Sequence, residues 1–154
     1  MNWGQLFFGF DGRINRTKYW TAILIYLAIY LALAILGYAA GQSATYQAIN
    51  GMLNIVILIS SLAVGVKRLH DRNKSGWYLV LFYIVPGILL VAGIAVGTTM
   101  EDSIMIAGVL GLIAFAIGVW AFVELGCLRG DIGPNRYGPD PFEPTESPPV
   151  RTPG

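Results

Sequence analysis

Four apolar stretches decide what this chain can be. Residues 19–40, 46–66, 77–98 and 104–128 are rich in Ile, Leu, Val, Ala and Gly. Each approaches or exceeds the roughly 20 residues that a helix, rising about 1.5 Å per residue, needs to cross a hydrocarbon core about 30 Å thick. Residues 46–66 contain no charged side chain, and Glu124 alone interrupts the fourth stretch. A segment in lipid must satisfy its own backbone N–H and C=O groups, so each stretch is expected to be a helix. Composition agrees: 55% of the 154 residues are hydrophobic and 12% are charged, against about 25% charged in an ordinary soluble domain. The expected fold is an all-α membrane protein with four transmembrane helices.

Charge placement sets the expected orientation. Arg13, Arg16 and Lys18 precede the first span, and Lys67, Arg68, Arg72 and Lys74 separate the second from the third. Arg129, Arg136 and Arg151 follow the fourth. The two remaining links hold no positive charge, and the second of them carries Glu101 and Asp102. Under the positive-inside rule, all ten Lys and Arg residues face the cytoplasm, and both termini with them. Arg13, Arg16 and Lys18 before an apolar run also resemble the start of a signal peptide. Residues 19–40 are too long for its apolar region, and an uncleaved span is expected.

The flanks differ from the spans. Trp3, Leu6, Phe7 and Phe10 recur at i, i+3, i+4 and i+7, an apolar stripe on a helix too short to cross. It is expected to lie in the membrane interface as an amphipathic helix. Residues 143–154 are polar and Pro-rich and are expected to be disordered. The expected layout is one membrane domain over residues 1–142, with a folded cytoplasmic cap built from residues 11–18, 67–76 and 129–142.

Smaller cues lie within the spans. Gly37–Gly41 and Gly93–Gly97 have G-x-x-x-G spacing, and Ala107, Gly111, Ala114 and Gly118 form a small-residue stripe. These are expected to permit close helix approach within the bundle, with a dimer face as the alternative. Pro86 lacks a backbone donor and is expected to kink the third span, freeing the Phe82 carbonyl. Asn54 is expected to bond a neighbouring helix, and Glu124 to pair with a cytoplasmic arginine. Cys127 is the single cysteine, which excludes an internal disulfide and a cysteine metal site.

Three polar motifs fall on the expected cytoplasmic side. They are Gly12-Arg13-Ile14-Asn15-Arg16 with Tyr19-Trp20, Arg68-Leu69-His70-Asp71 with Ser75-Gly76-Trp77, and Gly133-Pro134-Asn135-Arg136-Tyr137-Gly138-Pro139-Asp140-Pro141. In order and spacing they resemble the bacterial inner-membrane family named domain of unknown function family 805. The resemblance covers nearly the whole chain. It implies a multi-helix inner-membrane protein and no established activity, so no catalytic residues follow from it.

The residues themselves suggest binding. Arg13, Asn15, Arg16, Arg68, His70, Asp71, Arg72, Asn135 and Arg136 are the candidate cap and anion-binding residues. Arginine presents a planar fork suited to phosphate or carboxylate, and Asn and Gly suit defined turns. Two readings stay open. The arginines set topology and pair with Asp11, Asp71 and Asp140, or they receive an anionic headgroup or small anion. His70 beside Asp71 suggests proton transfer, but no nucleophile motif accompanies it, and Ser75-Gly76 reads as the cap of the third span. No cofactor or metal motif is present, and the net charge of +1 gives no pull toward nucleic acid. Membrane lipids, anionic ones included, are the expected partners, with a homo-oligomer or another membrane protein as alternatives. A non-enzymatic binding protein is the leading expectation. A small-solute transporter or channel component follows it, then a membrane-bound headgroup enzyme.

Overall fold

The computed structural model describes residues 2–41, 43–99 and 103–142. The described residues form helices joined by short loops and contain no strand. The expected Pro-rich tail, Glu101 and Asp102 lie outside them.

α1 is Trp3–Phe8. Asn2 caps it: its Oδ1 accepts from the Gln5 N–H at 2.8 Å, and the Asn2 N–H donates to Gln5 Oε1 at 3.3 Å. This reciprocal capping box satisfies donors that a six-residue helix would otherwise leave open. The apolar stripe is shorter than its spacing suggests, because Phe10 lies beyond the helix. Part of it faces protein. Leu6 is buried with Ile14, Ala22, Tyr26, Ile57 and Val64, and Phe7 meets the Tyr26 ring edge-on at 5.9 Å.

α2 spans Arg16–Ala39 and α3 spans Ala44–Asp71. Asn15 caps α2, its side chain accepting from the Lys18 N–H at 2.9 Å. α3 continues through Lys67–Asp71, residues whose charge alone assigns them to the following loop. The polar second motif therefore begins on the last turn of a helix. Two hydroxyl contacts tie α2 to α3. Tyr26 Oη lies 2.7 Å from Ser60 Oγ, and Tyr46 Oη donates to the Leu33 carbonyl at 2.7 Å. Asn54 departs from expectation: its Nδ2 donates to the Asn50 carbonyl and side chain on its own helix. A residue four positions back is always within reach on a helix, whereas a neighbouring helix has to bring an acceptor.

The third span begins with a π-turn, Val80–Ile84, and continues as α4, Val85–Thr99. The irregularity sits directly before Pro86, where the missing N–H disrupts regular bonding. α5 is Ile104–Phe122 and runs into a second π-turn, Val123–Cys127. Residues 16–39, 44–71, 80–98 and 104–127 are long and apolar enough to cross a membrane.

These elements form two hairpins, α2–α3 and α4–α5. α4 and α5 approach closely because Gly93 and Gly97 face Ala107: a Cβ at either glycine would lie 3.4 Å from the Ala107 carbonyl or 3.3 Å from its Cβ. Gly37 is buried, but Gly41 lies past the end of α2 at φ +60°. It serves the turn and does not continue a helix face. The hairpins meet at one end. There Leu69 and Leu79 pack with Phe82 and Leu125, partly covered by Tyr19 and Val66. Trp20 packs against Phe122 at 5.9 Å.

Candidate functional site

The polar motifs converge at the end where the hairpins join. Asp71 closes α3 there, and its carboxylate takes two arginines. Arg68 NH1 donates to Oδ2 at 2.5 Å, and Arg13 Nε donates to Oδ1 at 3.2 Å. All three side chains are almost fully buried. One carboxylate can neither neutralise two guanidiniums nor take all their donors, and backbone carbonyls accept the remaining hydrogen bonds. Arg13 donates to the carbonyls of Gly133 at 2.7 Å, Gly138 at 3.3 Å and Asp131 at 2.5 Å. Arg68 donates to the carbonyls of Leu125 at 2.7 Å and of Leu128.

The second group of acceptors has a structural origin. The last carbonyls of a helix have no partner within it and carry its partial negative charge. At the end of the α5 π-turn, Arg68 takes Leu125 and Leu128, and Trp20 Nε1 takes Gly126 at 3.0 Å. Arg72 takes Arg129 at 2.5 Å. Side chains from the first hairpin thus cap the last helix of the second. Glu124 adds ion pairs within the same region, with Arg72 and with Lys74, each at 3.0 Å. This agrees with its expected pairing to an arginine and adds a lysine.

His70 is held rather than poised. Its Nδ1 lies 3.3 Å from the Gly12 carbonyl, and its ring stacks on Tyr137 with centroids 3.7 Å apart. Asn135 donates to the His70 carbonyl at 2.9 Å and accepts from the Tyr137 N–H at 2.9 Å. Arg136 donates to the Asn73 carbonyl at 3.0 Å and lies over the Tyr137 ring. Asp140 accepts from the N–H groups of Phe142 and Gly133, which hold its carboxyl below the usual carboxylate range. It binds backbone and, among the described residues, is not paired directly with an arginine.

Of the nine candidate residues, Arg13, Arg68, Asp71, Arg72, His70, Asn135 and Arg136 meet in one network of loop and helix-end contacts. Asn15 is spent as the α2 cap. Arg16 stands apart: it is exposed, with no side-chain hydrogen bond or ion pair to the described residues. Sequence reasoning passes over Lys67 and Gly130. Lys67 is fully buried and its Nζ donates to the Gln5 and Leu6 carbonyls, both at 2.5 Å, pinning α1 to α3. Its signal is present, because Lys67 continues the buried helical series Ser60, Val64, Lys67, Asp71. Gly130 sits so close to Asp71 that a Cβ would lie 1.9 Å from Oδ2. No local pattern marks that contact.

Known proteins resemble the chain over most of its length. It is 32% identical over 136 residues to the uncharacterized protein YiiR of Escherichia coli K12, covering 88% of each chain. It is 30% identical over 135 residues to the inner membrane protein YhaH of that organism, covering 86% of this chain and 87% of the relative. Inner membrane protein YhaI is 29% identical over 133 residues, covering 86% of each. No solved structure matches. The family described as "Protein of unknown function (DUF805)" matches residues 7–139, and the four long apolar helices, the first two polar motifs and the third as far as Pro139 fall within that match: the chain is a membrane protein belonging to this family.

Proposed function

We propose that this chain is a multi-pass inner-membrane protein with both termini in the cytoplasm, and that its ordered cytoplasmic face works by binding anionic lipid rather than by catalysis. Residues 1–142 form its single membrane domain, with α1 at the interface. The observation that carries this reading is the concentration of positive charge at the end where the hairpins join. Every Lys and Arg precedes Tyr19, lies between Val66 and Ser75, or follows Leu128. That end would meet the negative surface of the cytoplasmic leaflet, where each basic residue contributes about 1 kcal/mol of attraction. The buried arginines support an ordered surface, because their partners lie within the protein.

The rival readings lack such support. An enzyme built on His70 would need a ring free to exchange protons with a substrate, and this ring is stacked and hydrogen-bonded. A transport path through the spans would need polar groups left open between helices; Asn54 bonds its own helix, and Tyr26 and Ser60, which do meet between helices, bond each other.

Thermal unfolding of the full chain in nanodiscs of phosphatidylglycerol and of phosphatidylcholine tests the proposal. The expected result is a midpoint higher in phosphatidylglycerol by roughly 3 °C, which is about 1 kcal/mol for a chain of this size. Equal midpoints would overturn lipid binding.

A further inference from the structure

With Arg13 and Arg68 consumed internally, an anionic lipid needs another cation. Among the described residues, Arg16 and Lys18 are the cations whose side chains make no hydrogen bond, ion pair or ring contact. Lys18 is the one beside a cavity. A space of about 180 Å³ lies between α1 and the first turns of α2, lined by Asn2, Trp3, Leu6, Lys18 and Thr21.

We infer that this cavity is a phospholipid site, with the lipid phosphate on Lys18 and the glycerol and upper acyl carbons against Leu6 and Trp3. The inference rests on the proposed anionic-lipid reading and gives it a location.

Charge complementarity favours an anion here. Among the described residues that line it, the cavity has one ammonium group and no carboxylate. The Thr21 hydroxyl donates to the Thr17 carbonyl at 2.9 Å, so its proton is already used. The Asn2 Oδ1 is likewise used in capping, which leaves its amide N–H groups to assist the lysine. The site therefore offers an ammonium and amide donors to an anion, and the acceptors that remain, Thr21 Oγ and Asn2 Oδ1, are neutral oxygens. Its depth selects a membrane ligand. Lys18 stands where the apolar run of α2 begins, and Trp3 is 65% exposed beside it. One turn beyond Thr21, Leu24 opens an exposed apolar surface that Leu27 and Leu31 extend. A ligand with a negative head and long apolar tails matches this sequence of surfaces, whereas a free phosphate would satisfy Lys18 alone. Tryptophan at the rim suits the level of the headgroups.

The test uses the full chain in nanodiscs containing phosphatidylglycerol or phosphatidylcholine with brominated acyl chains, which quench nearby indoles. The Trp3 component is the quenching lost in Trp3→Phe, a change that keeps a ring to stack on Phe7. The expected result is stronger quenching of that component by phosphatidylglycerol. Lys18→Gln should weaken the apparent affinity about fivefold, the equivalent of one lysine–headgroup contact, and Lys18→Arg should retain it. Inorganic phosphate at matched concentration should leave the quenching unchanged. Phosphatidylglycerol-dependent stability that persists undiminished in Lys18→Gln, with unchanged Trp3 quenching, would overturn this site and leave lipid binding standing. Loss of any difference between the two lipids in the wild-type chain would overturn both. Competition by inorganic phosphate would replace the lipid with a soluble anion.

Discussion

At the scale of single residues, the decisive fact is where each guanidinium spends its donors. The sequence shows Arg13, Arg68 and Asp71 as members of polar motifs, and charge type alone leaves open pairing or ligand binding. The choice depends on five backbone carbonyls, of Leu125, Leu128, Asp131, Gly133 and Gly138, and a carbonyl has no residue signature. That is why the motif is legible in the sequence and its use is not. Gly130 follows the same logic. Its hydrogen leaves the space that the Asp71 carboxylate fills. Gly130→Ala is expected to lower stability by about 3 kcal/mol, since the clash must displace a buried ion pair. Gly118 on α5 makes the comparison, because a Cβ added there would meet nothing within 4 Å. Gly118→Ala should be neutral or stabilising by up to about 1 kcal/mol through helix propensity. Unfolding both variants in the same detergent checks the contrast, and equal effects would remove the special role of Gly130.

At the scale of elements, the four spans are readable because lipid imposes long apolar runs and admits little else. The irregular turns are not. Val80–Ile84 is an ordinary apolar stretch, and only Pro86 hints at a disturbance nearby. Val123–Cys127 has no proline, and its π-turn is evident only from backbone bonding. α1 shows a different limit. Its stripe announces an amphipathic helix, but periodicity does not say whether lipid or protein receives the apolar face. A six-residue helix is too short to persist alone in water, and here Leu6, Phe7 and the two carbonyls held by Lys67 dock it. Lys67→Met keeps the length of the side chain and removes the donor. The expected outcome is amide exchange in residues 3–8 faster by about tenfold, the effect of losing a hydrogen bond to a charged group. Exchange in the middle of α2 and α3 should stay unchanged. Unaltered protection in α1 would show that apolar contact alone holds it.

At the scale of the whole molecule, two hairpins are joined at one end by side chains that reach from one into the helix end of the other. Arg68, Trp20 and Arg72 all donate to carbonyls at the close of the last span. Net positive charge and interior pairing therefore serve different ends. The buried arginines assemble the face, whereas Arg16 and Lys18 are unpaired among the described residues and are the cations that the proposed lipid binding would use. The match to the inner-membrane relatives covers most of their length, so it takes in both hairpins and the joint between them.

That the arginines assemble the face is tested most directly by a double-mutant cycle on Arg13 and Asp71, 58 positions apart in sequence. Arg13→Gln, Asp71→Asn and the double variant would be unfolded reversibly in detergent. Each single change is expected to be costly, and the double variant is expected to be more stable than the sum of the singles implies, by about 1–3 kcal/mol. Additive effects, within about 0.5 kcal/mol, would contradict this role and return Arg13 to the ligand binding that its sequence motif suggests.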